Sequence, residues 1–198
     1  MSVTPVSDGR TARSRRTRVA VVDAVLRLLR SGKLRPTARE IASEAGVSVR
    51  SVYVHFDDLD DLFVAAAERQ YELLRPLLVT VPATGPLRER ARALARARGT
   101  IFETVGEVRR AAHVHAPFSP ALAARLSVAR EWSHAELRRV FAAELAGLGE
   151  PARTRRLAAL HVLTGPDAWA ELRATPLDEE AAADATAYAI VALLEARP

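Results

Sequence analysis

The sequence predicts an all-α protein of about nine helices. A small N-terminal three-helix unit containing a helix-turn-helix is followed by a larger helical bundle. Three observations predict this. Ala, Leu and Arg are abundant while aromatic residues are only 5% of the 198, a balance that favours helices over strands. Apolar residues recur at three- and four-residue spacing in one segment after another. Proline, glycine and capping residues separate those segments where helices start and stop.

The first twelve residues carry Ser, Thr, Pro, Gly and Asp without periodicity and are expected to form a flexible arm. From about Thr17, Val19, Val22, Leu26 and Leu29 mark one helical face with Val25 beside them, and Ser31-Gly32 ends the helix. Thr37-Ala38-Arg39-Glu40 has the pattern of a capping box. Ile41, Ala42 and Ala45 then face inward, and Gly46 supplies the left-handed residue that closes a helix. Ser48 can cap the next helix, with Val47 and Val52 inward. Asp58 opens a longer amphipathic helix through Leu62, Phe63, Ala66, Tyr71 and Leu74, expected to run over 58–80. Pro82-Ala83-Thr84-Gly85-Pro86 reads as a hinge. Helices are then expected at about 87–113, 120–147, 152–163, 166–174 and 178–196, with Pro120 and Pro166 at first helical positions.

Charge is divided unevenly. Residues 1–56 carry a net +7 and residues 57–198 a net −2. A small basic module is therefore expected to meet a polyanion, while the rest has another task. The chain has no cysteine, which excludes disulfides and thiolate metal sites. No apolar run reaches the roughly 18 residues that span a bilayer. The run SRRTRVAVV, residues 14–22, has the arginine pair of an export signal. Asp23, Arg27 and Arg30 interrupt the apolar stretch that should follow, so a cytoplasmic protein is expected.

Two short helices around a Gly-containing turn make a helix-turn-helix, whose second helix enters the DNA major groove. Ser48, Val49 and Arg50 lie at the exposed start of that helix. A guanidinium can give two hydrogen bonds to guanine, so Arg50 is the candidate base contact. Ser51, Tyr53 and His55 alternate with inward Val52 and Phe56, and their donors suit phosphate oxygens. Arg13, Arg15 and Arg16, with Arg10, could add phosphate or minor-groove contacts. Thr37 completes the candidate set at the start of the first motif helix.

Ile41-Ala42, Ala45-Gly46-Val47-Ser48 and Tyr53-Val54-His55-Phe56 stand at the spacing of a known signature. Over about residues 17–66 the chain resembles the DNA-binding domain of the TetR family of bacterial transcriptional repressors. Its length, and a helical remainder with little signature of its own, are similar too. Two positions depart from the pattern. Ser51 stands where the family usually has Thr. Leu59 stands where the family often has Lys, inside Asp57-Asp58-Leu59-Asp60-Asp61, so a lysine contact to phosphate is absent. These carboxylates are expected to weaken DNA binding unless they cap the helix and point away.

The resemblance implies a domain plan: a 1–12 arm, a 13–80 DNA-binding domain including the connecting helix, and an 81–198 effector-binding and dimerisation domain. It implies a ligand-responsive regulator, a repressor that binds an operator as a homodimer through its last two helices. A small, largely apolar effector would swing the connecting helix and change the separation of the two recognition helices. The candidate effector-binding residues are Phe102, Val105, His113, His115, Phe118, Trp132 and Trp169, with the two histidines and Trp169 as polar-tipped groups. No cofactor, metal, catalytic residue or membrane association is expected. Two rivals are carried: an architectural DNA-binding protein without effector, and a helical-bundle metalloenzyme. The latter rests on Glu131-x-x-His134 and on His113-Val114-His115.

Overall fold

In the computed structural model, which describes residues 9–196, the described residues form ten α-helices and no strand. They are α1 (Gly9–Arg30), α2 (Ala38–Ala45), α3 (Val49–His55), α4 (Leu59–Leu74), α5 (Leu87–His115), α6 (Pro120–Val140), α7 (Ala142–Ala146), α8 (Glu150–Leu163), α9 (Pro166–Arg173) and α10 (Glu179–Glu195). Short 3₁₀ turns follow α4 and α5. The all-α expectation holds.

Several boundaries differ from the sequence reading. Residues 9–12 are helical, while residues 1–8 of the expected arm lie outside the described residues. The expected 58–80 helix ends at Leu74, because Pro76 has no N–H to give and its ring blocks a further α-helical turn. The expected 120–147 helix is two helices. Phe141 leaves helical geometry at φ −111°, ψ 27°, with its ring fully buried. That break takes the count from about nine to ten.

The chain divides into two compact units. The first is Met1–Leu73 with Glu107–Ala124, and the second is Leu74–Gly106 with Arg125–Pro198. This differs from a single cut near residue 80. Val108, Ala111 and Leu122 belong to the same core as Val21, Val25, Leu26, Ile41, Val52 and Leu62, so the end of α5 and the start of α6 are part of the first unit.

In that core α1 contributes Val21, Val22, Val25, Leu26 and Leu29, α2 Ile41 and Ala42, α3 Val52, and α4 Leu62, Phe63 and Ala66. Each large aliphatic side chain hidden there contributes about 1.5–3 kcal/mol. Two expected inward residues are not inward. Val19 is 45% exposed and Tyr71 58% exposed. Gln70 is buried in place of Tyr71, and its Oε1 accepts a hydrogen bond from Arg30 at 2.9 Å.

The second unit has its own core of Leu94, Leu137, Val140, Phe141, Leu160, Trp169 and Ile190. It also buries two arginines. Arg90 pairs with Glu144 and gives further hydrogen bonds to the carbonyls of Gly85 and Val140. Arg98 pairs with Glu136 at 3.2 Å and donates to the carbonyls of Ser133 and Thr164. Burial pushes the Arg98 guanidinium down from the usual arginine value, and Glu136 opposes that shift.

Candidate nucleic-acid interface

The motif is held by its caps. At the start of α2, Thr37 N donates to Glu40 Oε2 at 2.9 Å while the Thr37 hydroxyl accepts from Glu40 N. The capping box is complete, as its residues predict. Lys33 hydrogen-bonds the same carboxylate. That contact, followed by the Thr37 backbone N–H and hydroxyl, holds the Glu40 carboxyl at about 2. Gly46 closes α2 with φ 67°, ψ 33°, and Val47 N reaches Ala42 O at 2.9 Å. A Cβ in this left-handed conformation is strained.

Ser48 caps α3. Its Oγ accepts from Ser51 N at 3.1 Å and lies 3.0 Å from Ser51 Oγ. Thr37, Ser48 and Ser51, three of the candidate DNA contacts, therefore already have partners within the protein. A hydroxyl retains lone-pair capacity after such a bond.

Buried Val52 seats α3 on the core, and Phe56 follows it underneath. The opposite face is open. Val49 is 38% exposed, Tyr53 50% and Val54 70%, with Arg50 exposed among them. One helix face thus offers a guanidinium, a phenol and two apolar side chains. Arg50 has no hydrogen bond or ion pair to another described residue, so its forked donors are free for a ligand. His55 is only half-exposed. Val54 was missed by the sequence reading, which alternated residues as in a strand. Helical spacing groups 49, 50, 53 and 54.

Arg18 is the second residue the sequence reading missed. Its Nη1 donates to His55 O at 2.6 Å, and its guanidinium lies 4.2 Å from the centroid of the Phe56 ring. A cation here satisfies a terminal carbonyl of α3 and sits at the negative end of its dipole. α1 is thereby tied to the end of the motif's second helix. Arg13, Arg15 and Arg16 stand exposed on the preceding turns of α1. At the other end of the motif, Arg27 Nε reaches Glu44 Oε1 at 2.5 Å and fixes α1 to α2. Asp58 Oδ1 accepts from Asp61 N at 2.9 Å, so one of the carboxylates that follow the motif is a helix cap.

The candidate effector residues are dispersed. Phe102 and Trp169 line a small cleft in the second unit with Ala95, Arg98, Thr164 and Thr186, with a cavity of only about 10 Å³. Arg98 and the two threonines carry no sequence signal. Val105 is buried in that unit but does not line the cleft. Trp132 is 49% exposed on α6, away from the cleft. His113, His115 and Phe118 belong to the first unit instead. His115 stacks on Phe63 with centroids 4.2 Å apart, and its Nε2 lies 3.1 Å from Leu34 O. His113 is exposed, and Phe118 is 79% exposed in the turn after α5. His134, of the Glu-x-x-His pattern, stacks on His161 at 4.2 Å. Among the described residues no three His, Asp or Glu side chains gather as metal ligands. No described helix is long and apolar enough to cross a membrane.

Residues 22–66 match the family model for bacterial regulatory proteins of the tetR family. That span covers α2, α3, the C-terminal part of α1 and the first half of α4. No curated protein matches the chain. Solved structures do match along nearly the whole length. A transcriptional regulator from Rhodococcus sp. Rha1 is 23% identical, with a TM-score of 0.62 over 93% of this chain and 99% of that one. The multidrug binding protein EbrR, solved with imidazole, is 25% identical, with a TM-score of 0.59 over 91% and 96%. A TetR transcription regulator from Haloarcula marismortui is 18% identical, with a TM-score of 0.63 over 91% and 97%. Residues 22–66 are thus similar to the tetR family of bacterial regulatory proteins, and the chain has the fold of a TetR transcription regulator.

Proposed function

We propose that the protein is a ligand-responsive, sequence-specific repressor that acts as a cytoplasmic homodimer and has no catalytic activity. One observation carries the DNA-binding part: the open face of α3, with Arg50 free and the helix fixed at both ends by Ser48 and Arg18. Arg50 reads a guanine edge, Val49 and Val54 suit thymine methyl groups, and Tyr53 and His55 hold phosphates. Thr37, Ser48, Ser51, Arg13, Arg15 and Arg16 add contacts to the backbone.

Two copies of α3 in a dimer must lie about 34–36 Å apart to meet successive major grooves. The outward side of α10 supports a seam with a second copy, because Tyr188 is 76% exposed beside half-exposed Ala185 and Ala189. The effector part draws on the cleft at Phe102 and Trp169, and on the likeness to EbrR, a multidrug binding protein. A ligand there lowers operator affinity by changing the spacing of the two readers.

The architectural reading has one observation in its favour. The cavity at Trp169 is only about 10 Å³, room for about one water, against the ~300–1,000 Å³ of pockets that enclose drug-sized ligands. The two readings separate in one experiment. An operator is selected from random duplexes with the full-length protein, and binding is then measured with a screen of apolar and aromatic small molecules. A palindromic site, released by at least one compound that also raises Tm, is the expected result. Uniform binding to all duplexes and no compound that changes it would leave the architectural protein.

A further inference from the structure

The cleft of the second unit is small because one side chain fills it. Trp169 comes from α9, and its indole lies flat against α5 at Gly99. A Cβ on Gly99 would stand 2.8 Å from Cζ2 of the ring and closer still to Cη2. Only glycine admits the ring at this depth, although a glycine inside a helix weakens it. The outer edge of the indole is tied down. Its Nε1–H donates to Oε1 of Glu103 at 2.9 Å, and Arg173 Nε donates to the same oxygen at 2.8 Å. Glu103 is 41% exposed, so this tether is within reach of solvent. Beside the ring lies a void of only about 10 Å³, lined by Phe102, Arg98 and Thr186.

We propose that the Trp169 indole occupies the place of the effector, which is a neutral, planar, fused-ring heteroaromatic carrying an N–H group. The ligand displaces the indole from the Gly99 platform and donates its own N–H to Glu103. This rests on the effector reading above and assigns its site and ligand class. The chemistry follows from what the site already holds. A flat slot against bare backbone selects a flat ring. A carboxylate that already accepts one N–H accepts another when the first leaves. Glu103 keeps Arg173 as its cation, so the ligand need bring no charge. The Arg98 donors are all engaged by Glu136, Ser133 and Thr164, so an anionic ligand finds no free cation. With the indole swung out, the space released is that of one fused bicyclic ring, which sets the size of the ligand.

The test uses full-length protein with Trp132→Phe, which leaves Trp169 as the sole tryptophan, labelled with 5-fluorotryptophan. Benzimidazole is the probe and 1-methylbenzimidazole, which has no N–H, its control. Titration with benzimidazole is expected to move the fluorine signal saturably to a solvent-exposed position and to raise Tm. The methylated control is expected to bind at least about tenfold more weakly, the loss of one hydrogen bond. Gly99→Ala is expected to place the signal at the exposed position without ligand. Trp169→Ala is expected to bind benzimidazole at least about tenfold more tightly than the parent, because the internal competitor is gone. A fluorine signal that stays in place up to the solubility limit, while Trp169→Ala binds the probe, would make Trp169 ordinary core and overturn the proposal. Equal binding of the methylated control would overturn the role of Glu103. If a different compound releases the operator with the Trp169 signal unmoved, the effector reading stands and this assignment of its site falls.

Discussion

The two units of this chain hide different things. The first buries aliphatic side chains of α1 to α4 and keeps its arginines outside, with Arg13, Arg15, Arg16 and Arg50 exposed. The second buries Arg90 and Arg98, each satisfied by a carboxylate and by backbone carbonyls. A charge outside is available to a polyanion. A charge inside is committed to its partner, costs desolvation, and holds a geometry. The contrast is between a surface that grips and an interior that is arranged.

The largest expected effect breaks the arranged interior. Arg98→Ala leaves Glu136 buried without its cation and should cost about 3–5 kcal/mol, read as a fall in the denaturation midpoint. Replacing both members by apolar residues of similar size should recover most of that loss. If the single change costs no more than the double, the pair carries no structural weight.

A smaller effect belongs to the first unit. Gly46→Ala forces a Cβ into the left-handed region and should cost about 1–2 kcal/mol, with operator binding lost in proportion to folded protein. Arg18→Gln should do the reverse of that pattern. It leaves the core intact and should change Tm little. It should weaken binding to specific and random DNA, because the end of α3 loses its tie to α1. Unchanged DNA affinity would make the Arg18 contact incidental.

The smallest effect is a titration. The Glu40 carboxyl is held at about 2, below its ordinary 4.5, by Lys33 and Thr37. A depressed carboxylate contributes stability that is present above the unfolded value and lost as pH falls through the folded one. The stability it adds should therefore disappear between pH 4.5 and about 2. Lys33→Met should raise the Glu40 midpoint toward the ordinary carboxylate value, as followed by carboxyl NMR. A midpoint that does not move would remove Lys33 as the main cause.

The first unit was the more legible in the sequence because its determinants are local. Thr37, Glu40, Gly46 and Ser48 act within a few residues of where they stand, and all four make the predicted contacts. Errors arose where the partner is distant. Val19 fits the helical period but is 45% exposed, while Val21, Val22 and Val25 carry the buried face of α1. Gln70 is buried instead of Tyr71, and Arg30, forty residues earlier, meets its Oε1 while its Nε2 has no partner among the described residues. The second unit was hardly legible for the same reason. Gly99 and Trp169 touch across seventy residues, and Arg98 lies in a helix with many arginines. His113, His115 and Phe118 follow the hinge in sequence, yet they belong to the first unit because α5 is long enough to contribute to both.

The central claim is that the open face of α3 reads DNA sequence through Arg50. The direct measurement is binding of Arg50→Ala to the selected operator and to random duplex at one salt concentration. The account predicts a loss of about 1–3 kcal/mol on the operator and little change on random DNA. An equal loss on both would make Arg50 a phosphate contact, and no loss on either would place sequence reading elsewhere on the protein.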